Sequence, residues 1–150
     1  MLPMAIDSRS AKNIATLHPQ LQPLAEKLIE RALEAGINAK VIGALRTYAE
    51  QDEIYAQGRT KPGKVVTKAR AGQSIHNFGL AFDVGVFSKD GKTYIGESPD
   101  YKALGCLGKE LGLAWGGDWK FVDEPHFEYR HGKSIAQLQA AVAKNKDVLA

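Results

Sequence analysis

The runs in this chain that read as strands are joined by turns too short to carry a parallel crossover. Residues 80–87 have the apolar, alternating character of a strand. Lys89-Asp90-Gly91-Lys92 follows as a hairpin turn, with residues 93–95 returning beside it. A parallel neighbour would need a connection of about a dozen residues or more. The strand-like runs are also scattered among helical ones. This order predicts an α+β fold, a single small domain over residues 1–150 with a central antiparallel sheet flanked by helices, in place of a doubly wound α/β sheet.

Residues 7–17 predict a short helix. Beyond Pro19, Leu21, Leu24, Leu28, Ile29, Ala32 and Leu33 share one helical face, and Gly36 supplies the stop. Residues 38–45 read as a strand. Thr47-Tyr48-Ala49-Glu50 is a capping box opening a helix that runs to Gln57. Residues 58–73 form a polar, basic loop with a short strand expected at Val65-Val66. Ser98 and Pro99 begin a helix carrying Tyr101, Leu104, Leu107 and Leu111 and ending at Gly112. Short strands are expected at 113–115 and 126–130. Ser134 caps a final helix with Ile135, Leu138 and Val142 inward. No repeat and no Pro/Gly/Ser linker divides the chain.

Composition excludes several classes. With 44% apolar and 25% charged residues, the chain is neither disordered nor collagen-like nor a coiled coil. Twenty basic against seventeen acidic residues leave a net charge of +3, too little for a dedicated nucleic-acid binder but compatible with an anionic polymer. The lone Cys106 forbids an internal disulfide and any zinc site built from several cysteines. Residues 1–10 lack the basic region of a secretory signal, and no run approaches the ~18 apolar residues of a membrane helix. The expectation is a monomer made in the cytoplasm, with no stable membrane association.

Four histidines bear on chemistry. His18, before Pro19, and His131, before Gly132, read as structural. His76 and His126 differ by their company. In Ser74-Ile75-His76-Asn77-Phe78-Gly79-Leu80-Ala81-Phe82-Asp83 an imidazole and a carboxylate stand seven positions apart. On a straight strand they would face opposite ways, so a bend near residues 77–79 must bring them together, and Gly79 can take such a backbone. In Asp123-Glu124-Pro125-His126-Phe127-Glu128 the proline forbids a helix interior and extends Glu124. His126 and Glu128 then share one strand face, with Phe127 and Tyr129 on the other and Asp123 on the turn. Two imidazoles and a carboxylate make a zinc set with a fourth position open, and Asp123 is a further acid beside it. Either half alone reads first as a buried histidine bonded to an aspartate. Both halves in this order, with Arg46 upstream, favour the metal.

Ser74-x-His76-x-x-Gly79-x-Ala81-x-Asp83 followed by Asp123-x-Pro125-His126-Phe127-Glu128 resembles the M15 zinc peptidases, the VanY/VanX-like family. Arg46-Thr47-Tyr48-x-x-Gln51-x-x-Ile54-Tyr55-x-Gln57-Gly58-Arg59 matches the family upstream. Among members the chain is most similar to phage endolysins that are L-alanyl-D-glutamate peptidases. The resemblance implies a small α+β domain whose antiparallel sheet holds one Zn2+ through His76, Asp83 and His126. It implies that Asp123 is the catalytic acid and base and that Arg46 binds or polarises substrate near the scissile carbonyl. Ser74 and Gln51 match motif positions and are expected near ligands or substrate. Zinc with an open position activates water and polarises a peptide carbonyl, Asp123 can move the proton, and Arg46 can stabilise the oxyanion. Glu128 is expected to support the His126 imidazole.

Trp115-Gly116-Gly117-Asp118-Trp119 reads either as packing or as a sugar-stacking patch that brings Trp115 to the substrate. The basic residues from Arg59 to Arg70 read as a solvated loop that can also cover the site. Asp90, Glu97 and Asp100 lack the spaced ligands of a calcium loop. The expected function is hydrolysis of stem peptides in bacterial peptidoglycan, for lysis of the host cell, in the periplasm or wall once the membrane is breached. The alternatives are a D-Ala-D-Ala carboxypeptidase or dipeptidase and a non-catalytic, zinc-containing wall-binding module. A muramidase would leave the histidine motif unexplained.

Overall fold

The structure is a computed structural model and describes residues 6–150. Part of the segment read for a secretory signal, residues 1–5, lies outside the described residues.

Helix α1 (Ser8–Ile14) starts at Asp7, whose carboxylate accepts from the Ser10 backbone N–H at 3.0 Å. Helix α2 (Gln22–Glu34) buries Ala25, Leu28, Ile29 and Ala32, the face the sequence marks. It stops where Gly36 turns left-handed at φ 82° and Ile37 N–H reaches back to Ala32 O. Strand β1 (Ala39–Gly43) follows, then α3 (Tyr48–Ala56) behind the complete capping box of Thr47 and Glu50. After a long loop and a single 3-10 turn (Ile75–Phe78) comes β2 (Ala81–Phe87). Then come β3 (Tyr94–Ile95), α4 (Asp100–Glu110), β4 (Ala114–Trp115), β5 (His126–Glu128) and α5 (Ile135–Ala143).

The sheet is antiparallel throughout, in the order β1-β2-β5-β4, with β3 on the far end of β2. This is the expected α+β domain. Strand alternation divides the residues of β2 and β5 between two faces. Phe82, Val84, Val86 and Phe127 join the core beneath α2 and α4, where the Phe82 and Phe127 rings stack at 5.7 Å. Asp83, His126 and Glu128 face the other way. Two glycines of α4 let the sheet approach. A Cβ on Gly105 would lie 2.4 Å from the Trp115 ring, and one on Gly108 would lie 2.4 Å from Phe127. A smaller cluster of Ile75, Phe78, Leu80, Ala81, Leu138 and Leu149 seats α5. The outer edge of β1 is covered by α1, with Ser10 Oγ accepting from Val41 N–H and Asn13 Nδ2 donating to Val41 O.

Several boundaries differ from expectation. The first helix is shorter than residues 7–17. The first strand, Ala39–Gly43, is shorter than 38–45 and carries a register shift between Val41 and Gly43. The last strand ends at Glu128, although Tyr129 N–H still donates to Leu80 O. Val65 and Val66 form no strand. They are 54% and 59% exposed in a loop that folds back on itself at Gln57 and Lys61 and offers them no partner.

Candidate metal centre

Asp83 pairs directly with His126 across β2 and β5, so the two side chains stand together on the open face of the sheet. His76 arrives from the 3-10 turn. Gly79 ends that turn at φ 70° and redirects the chain into β2, which is the bend the spacing of His76 and Asp83 required. A side chain there would meet both a left-handed backbone and His18 N at 3.1 Å. One ligand atom each from His76, Asp83 and His126 lies within 4.8 Å of the others. Among the described residues this is the only group of three or more His, Cys, Asp or Glu side chains close enough to share an ion; Asp90, Glu97 and Asp100 make none.

The hydrogen bonds behind the rings fix which nitrogen faces inward. His76 Nδ1 lies 2.8 Å from Ala44 O, which can only accept, so Nδ1 carries the proton and Nε2 turns to Asp83 Oδ2 at 3.4 Å. His126 Nε2 donates to Glu128 Oε1 at 2.8 Å, and Nδ1 faces Asp83 Oδ1 at 3.5 Å. In the neutral rings, two lone pairs therefore point at a carboxylate. That arrangement needs a positive charge at its centre. Nitrogen–oxygen separations of 3.4 and 3.5 Å are tetrahedral edges for metal–ligand bonds of about 2.1 Å. The same demand for positive charge appears in the acidities. Burial opposes ionisation of Asp83, but the His126 and His76 rings in their protonated forms, which alone can donate to it, outweigh burial and hold the carboxyl well below its usual range. Burial likewise opposes a His126 cation, yet Asp83 and Glu128 raise its pKa to about 9.

The cluster lines an open cleft of about 420 Å³. Asp123 lines it as well. Burial first, and then the charge of Asp83, raises the Asp123 carboxyl above the usual range. Its backbone is held at both ends, N–H to Gly116 O at 2.9 Å and C=O from His126 N–H at 3.2 Å, while its carboxylate has no hydrogen-bond partner among the described residues. Glu124 lies outside the cleft, in the turn with Pro125 that precedes β5.

Arg46 also lines the cleft. It forms no ion pair with Glu50, whose carboxylate closes the capping box; Arg46 instead donates from a terminal nitrogen to Gln51 Oε1 at 3.0 Å. Gln51 is fully buried and donates onward to Ala69 O, tying the long loop to α3. Ser74 caps the 3-10 turn through the His76 N–H and also lines the cleft. Asn77, given no role in the sequence reading, ties these groups together. Its amide donates to Arg46 O and Gln51 Oε1, and its oxygen accepts from Gly72 and Ser74 N–H. Its signal was its place three residues after a capping serine.

Trp115 requires a correction. Its ring is buried against Gly105 and Gly117, and its indole N–H donates to Glu124 O at 2.7 Å, so it packs the core and does not reach the cleft. The short turn of residues 116–118 carries Trp119 there instead, 39% exposed and 4.8 Å from the His126 ring. In the basic loop, Arg59 and Arg70 stack on Tyr55, while Val66, Thr67 and Ala69 form a cleft wall. His18 pairs with Asp147 and His131 with Tyr129, away from the cluster. No helix among the described residues is long and apolar enough to cross a membrane.

Residues 67–129 match a family model described as D-alanyl-D-alanine carboxypeptidase, Peptidase M15. The chain is 43% identical over 121 residues to the peptidoglycan L-alanyl-D-glutamate endopeptidase CwlK of Bacillus subtilis (strain 168), covering 75% of this chain and 72% of that one. It is 30% identical over 128 residues to the L-alanyl-D-glutamate peptidase of Listeria phage A118, covering 83% of this chain and 42% of the phage protein. The crystal structure of the Serratia marcescens L-Ala D-Glu endopeptidase ChiX superposes with a TM-score of 0.59 at 26% identity, covering 84% of this chain and 90% of that one.

Proposed function

The chain belongs to the peptidase M15 family, and on that premise we propose that it is a zinc peptidase of peptidoglycan that cleaves the L-alanyl-D-glutamate bond of the stem peptide. The observation that carries this reading is the trio His76, Asp83 and His126, with lone pairs converging in a cleft that also holds a free carboxylate. Bound there, zinc would act as a Lewis acid on the scissile carbonyl and on the attacking water.

The chain's own residues supply the rest. Asp123 takes the proton of the attacking water and returns it to the leaving amine, a task suited to a carboxyl whose pKa is raised and whose oxygens are uncommitted. Arg46 offers N–H donors to the oxyanion that develops on the scissile carbonyl. Glu128 holds the His126 ring, and Gln51 and Asn77 hold Arg46. A non-catalytic wall-binding role would leave Asp123 without a purpose. The role we assign is lysis of a host cell, in keeping with the phage relative, with the protein reaching its substrate after the inner membrane is breached.

The test is digestion of purified peptidoglycan, with new termini identified by mass spectrometry. New D-glutamate amino termini are expected. Free D-alanine would instead establish the carboxypeptidase, the reading favoured by the description of the family model. New reducing sugar ends would establish a glycosidase and overturn both.

Arg46→Lys should lower kcat by roughly 10- to 100-fold although the charge is kept, because the planar fork cannot bond Gln51 and the oxyanion together once replaced. Zinc content and thermal stability should hold. An unchanged kcat would return Arg46 to a purely structural role.

A further inference from the structure

Arg130 stands at the cleft and is used by none of the steps above. Its Nε donates to Glu128 Oε2, while the other oxygen of that carboxylate accepts from His126 Nε2 at 2.8 Å. Glu128 is buried, so the guanidinium is anchored on one side by a fixed carboxylate. Its two terminal nitrogens have no acceptor among the described residues, and the side chain is 40% exposed along the cleft wall. An anchored guanidinium that still presents a pair of N–H groups is the donor fork that fits a carboxylate with two parallel hydrogen bonds. Arg46 and Arg130 both line the cleft and are tied to different members of the metal cluster. Arg46 is joined to the His76 turn through its backbone N–H, and Arg130 to His126 through Glu128.

Building on the proposed cleavage, we propose that Arg130 is the residue that selects substrate by the free carboxylate of the glutamate on the leaving side. A glutamate in a peptide has two carboxyl groups, and the chain continues from only one. When it continues from the side chain, the free group sits on the carbon next to the scissile nitrogen. Peptidoglycans differ in whether that group is a carboxylate or an amide, and only the carboxylate can accept two parallel, charge-assisted hydrogen bonds from the free terminal nitrogens of Arg130. Arg130 thereby separates acidic from amidated stem peptides.

The experiment compares two synthetic peptides, L-alanyl-γ-D-glutamyl-L-lysine and its α-amide, with the zinc-loaded wild-type protein, R130Q and R130K. The wild type is expected to favour the acid in kcat/KM by roughly 10- to 100-fold, the usual worth of hydrogen bonds to a charged group. The preference should reside mainly in KM. In R130Q the ratio should fall to within about three-fold of unity, and R130K should lie between. Loosening of Glu128 or loss of zinc slows both peptides alike and leaves the ratio unmoved, which separates recognition from a structural role. Equal cleavage of both peptides by the wild type, or a ratio that survives in R130Q, overturns this inference and leaves the proposed activity standing. Cleavage of neither peptide by the wild type overturns the proposed activity and this inference with it.

Discussion

A chain carrying both His76→Ala and His126→Ala should bind no zinc and hydrolyse no peptidoglycan. The two imidazoles supply two of the three converging donors, and each is oriented by a hydrogen bond from behind, to Ala44 O and to Glu128. Removing only such a supporting partner typically costs about 10- to 100-fold in metal affinity, so losing two ligands outright costs far more. Asp83 alone remains, a partly exposed carboxylate with no particular claim on zinc. The fold should survive, because both rings lie on the sheet face opposite the core formed with α2 and α4. Metal analysis after dialysis against zinc should give one ion per wild-type chain and none per variant chain. Zinc should raise the Tm of the wild type in a concentration-dependent way and leave that of the variant unchanged, since a ligand stabilises only the state that binds it. A chelator should abolish wild-type activity and added zinc restore it. Full zinc occupancy in a folded double variant would overturn the assignment.

The sequence made this centre legible because the constraint on it is local. Pro125 keeps helix out of this segment, a turn at Glu124-Pro125 closed from Asp123 O to His126 N–H leads into β5, and alternation there puts His126 and Glu128 on one face and Phe127 on the other. The bend between His76 and Asp83 followed from their odd spacing and from Gly79. What could not be read depends on partners distant in sequence. Two tryptophans separated by Gly-Gly-Asp look equivalent in the sequence. Trp115 goes inward because Gly105 and Gly117 leave room for its ring, and the turn between the two then delivers Trp119 to the cleft. Val65-Val66 has strand composition, but a strand needs a neighbour and the folded-back loop supplies none. Asn77 acts through contacts with residues 46 and 51, which no local pattern announces. Arg130 was within reach. The expected strand over 126–130 already put it on the face of His126 and Glu128, and an arginine there among acids reads first as a simple ion pair.

Three carboxylates lie close in sequence to His126, and their hydrogen bonds separate their roles. Glu128 has both oxygens engaged, one by His126 and one by Arg130. Burial opposes its charge, but those two bonds outweigh burial and lower its pKa, so it stays ionised and holds the ring in place. Glu124 lies outside the cleft. Asp123 lines the cleft, with a carboxylate that no protein donor engages and a pKa raised by burial and by Asp83. Asp123→Asn keeps the shape and removes the proton-transfer group. It should leave zinc bound and the fold intact while lowering kcat by roughly 10²–10⁴-fold, the usual worth of general acid–base catalysis. Glu128→Gln keeps a hydrogen-bond acceptor for His126 but removes the charge, and should act through zinc affinity, weakening it by about 10-fold or more. Activity in that variant should return as zinc is raised. The measurement that separates the two is kcat at saturating zinc. Glu128→Gln should recover most of the wild-type rate there and Asp123→Asn none of it. If Asp123→Asn stays active while zinc-loaded Glu128→Gln is inert, the proton passes through Glu128, and the carboxylate already bound by two partners must release one of them to turn over.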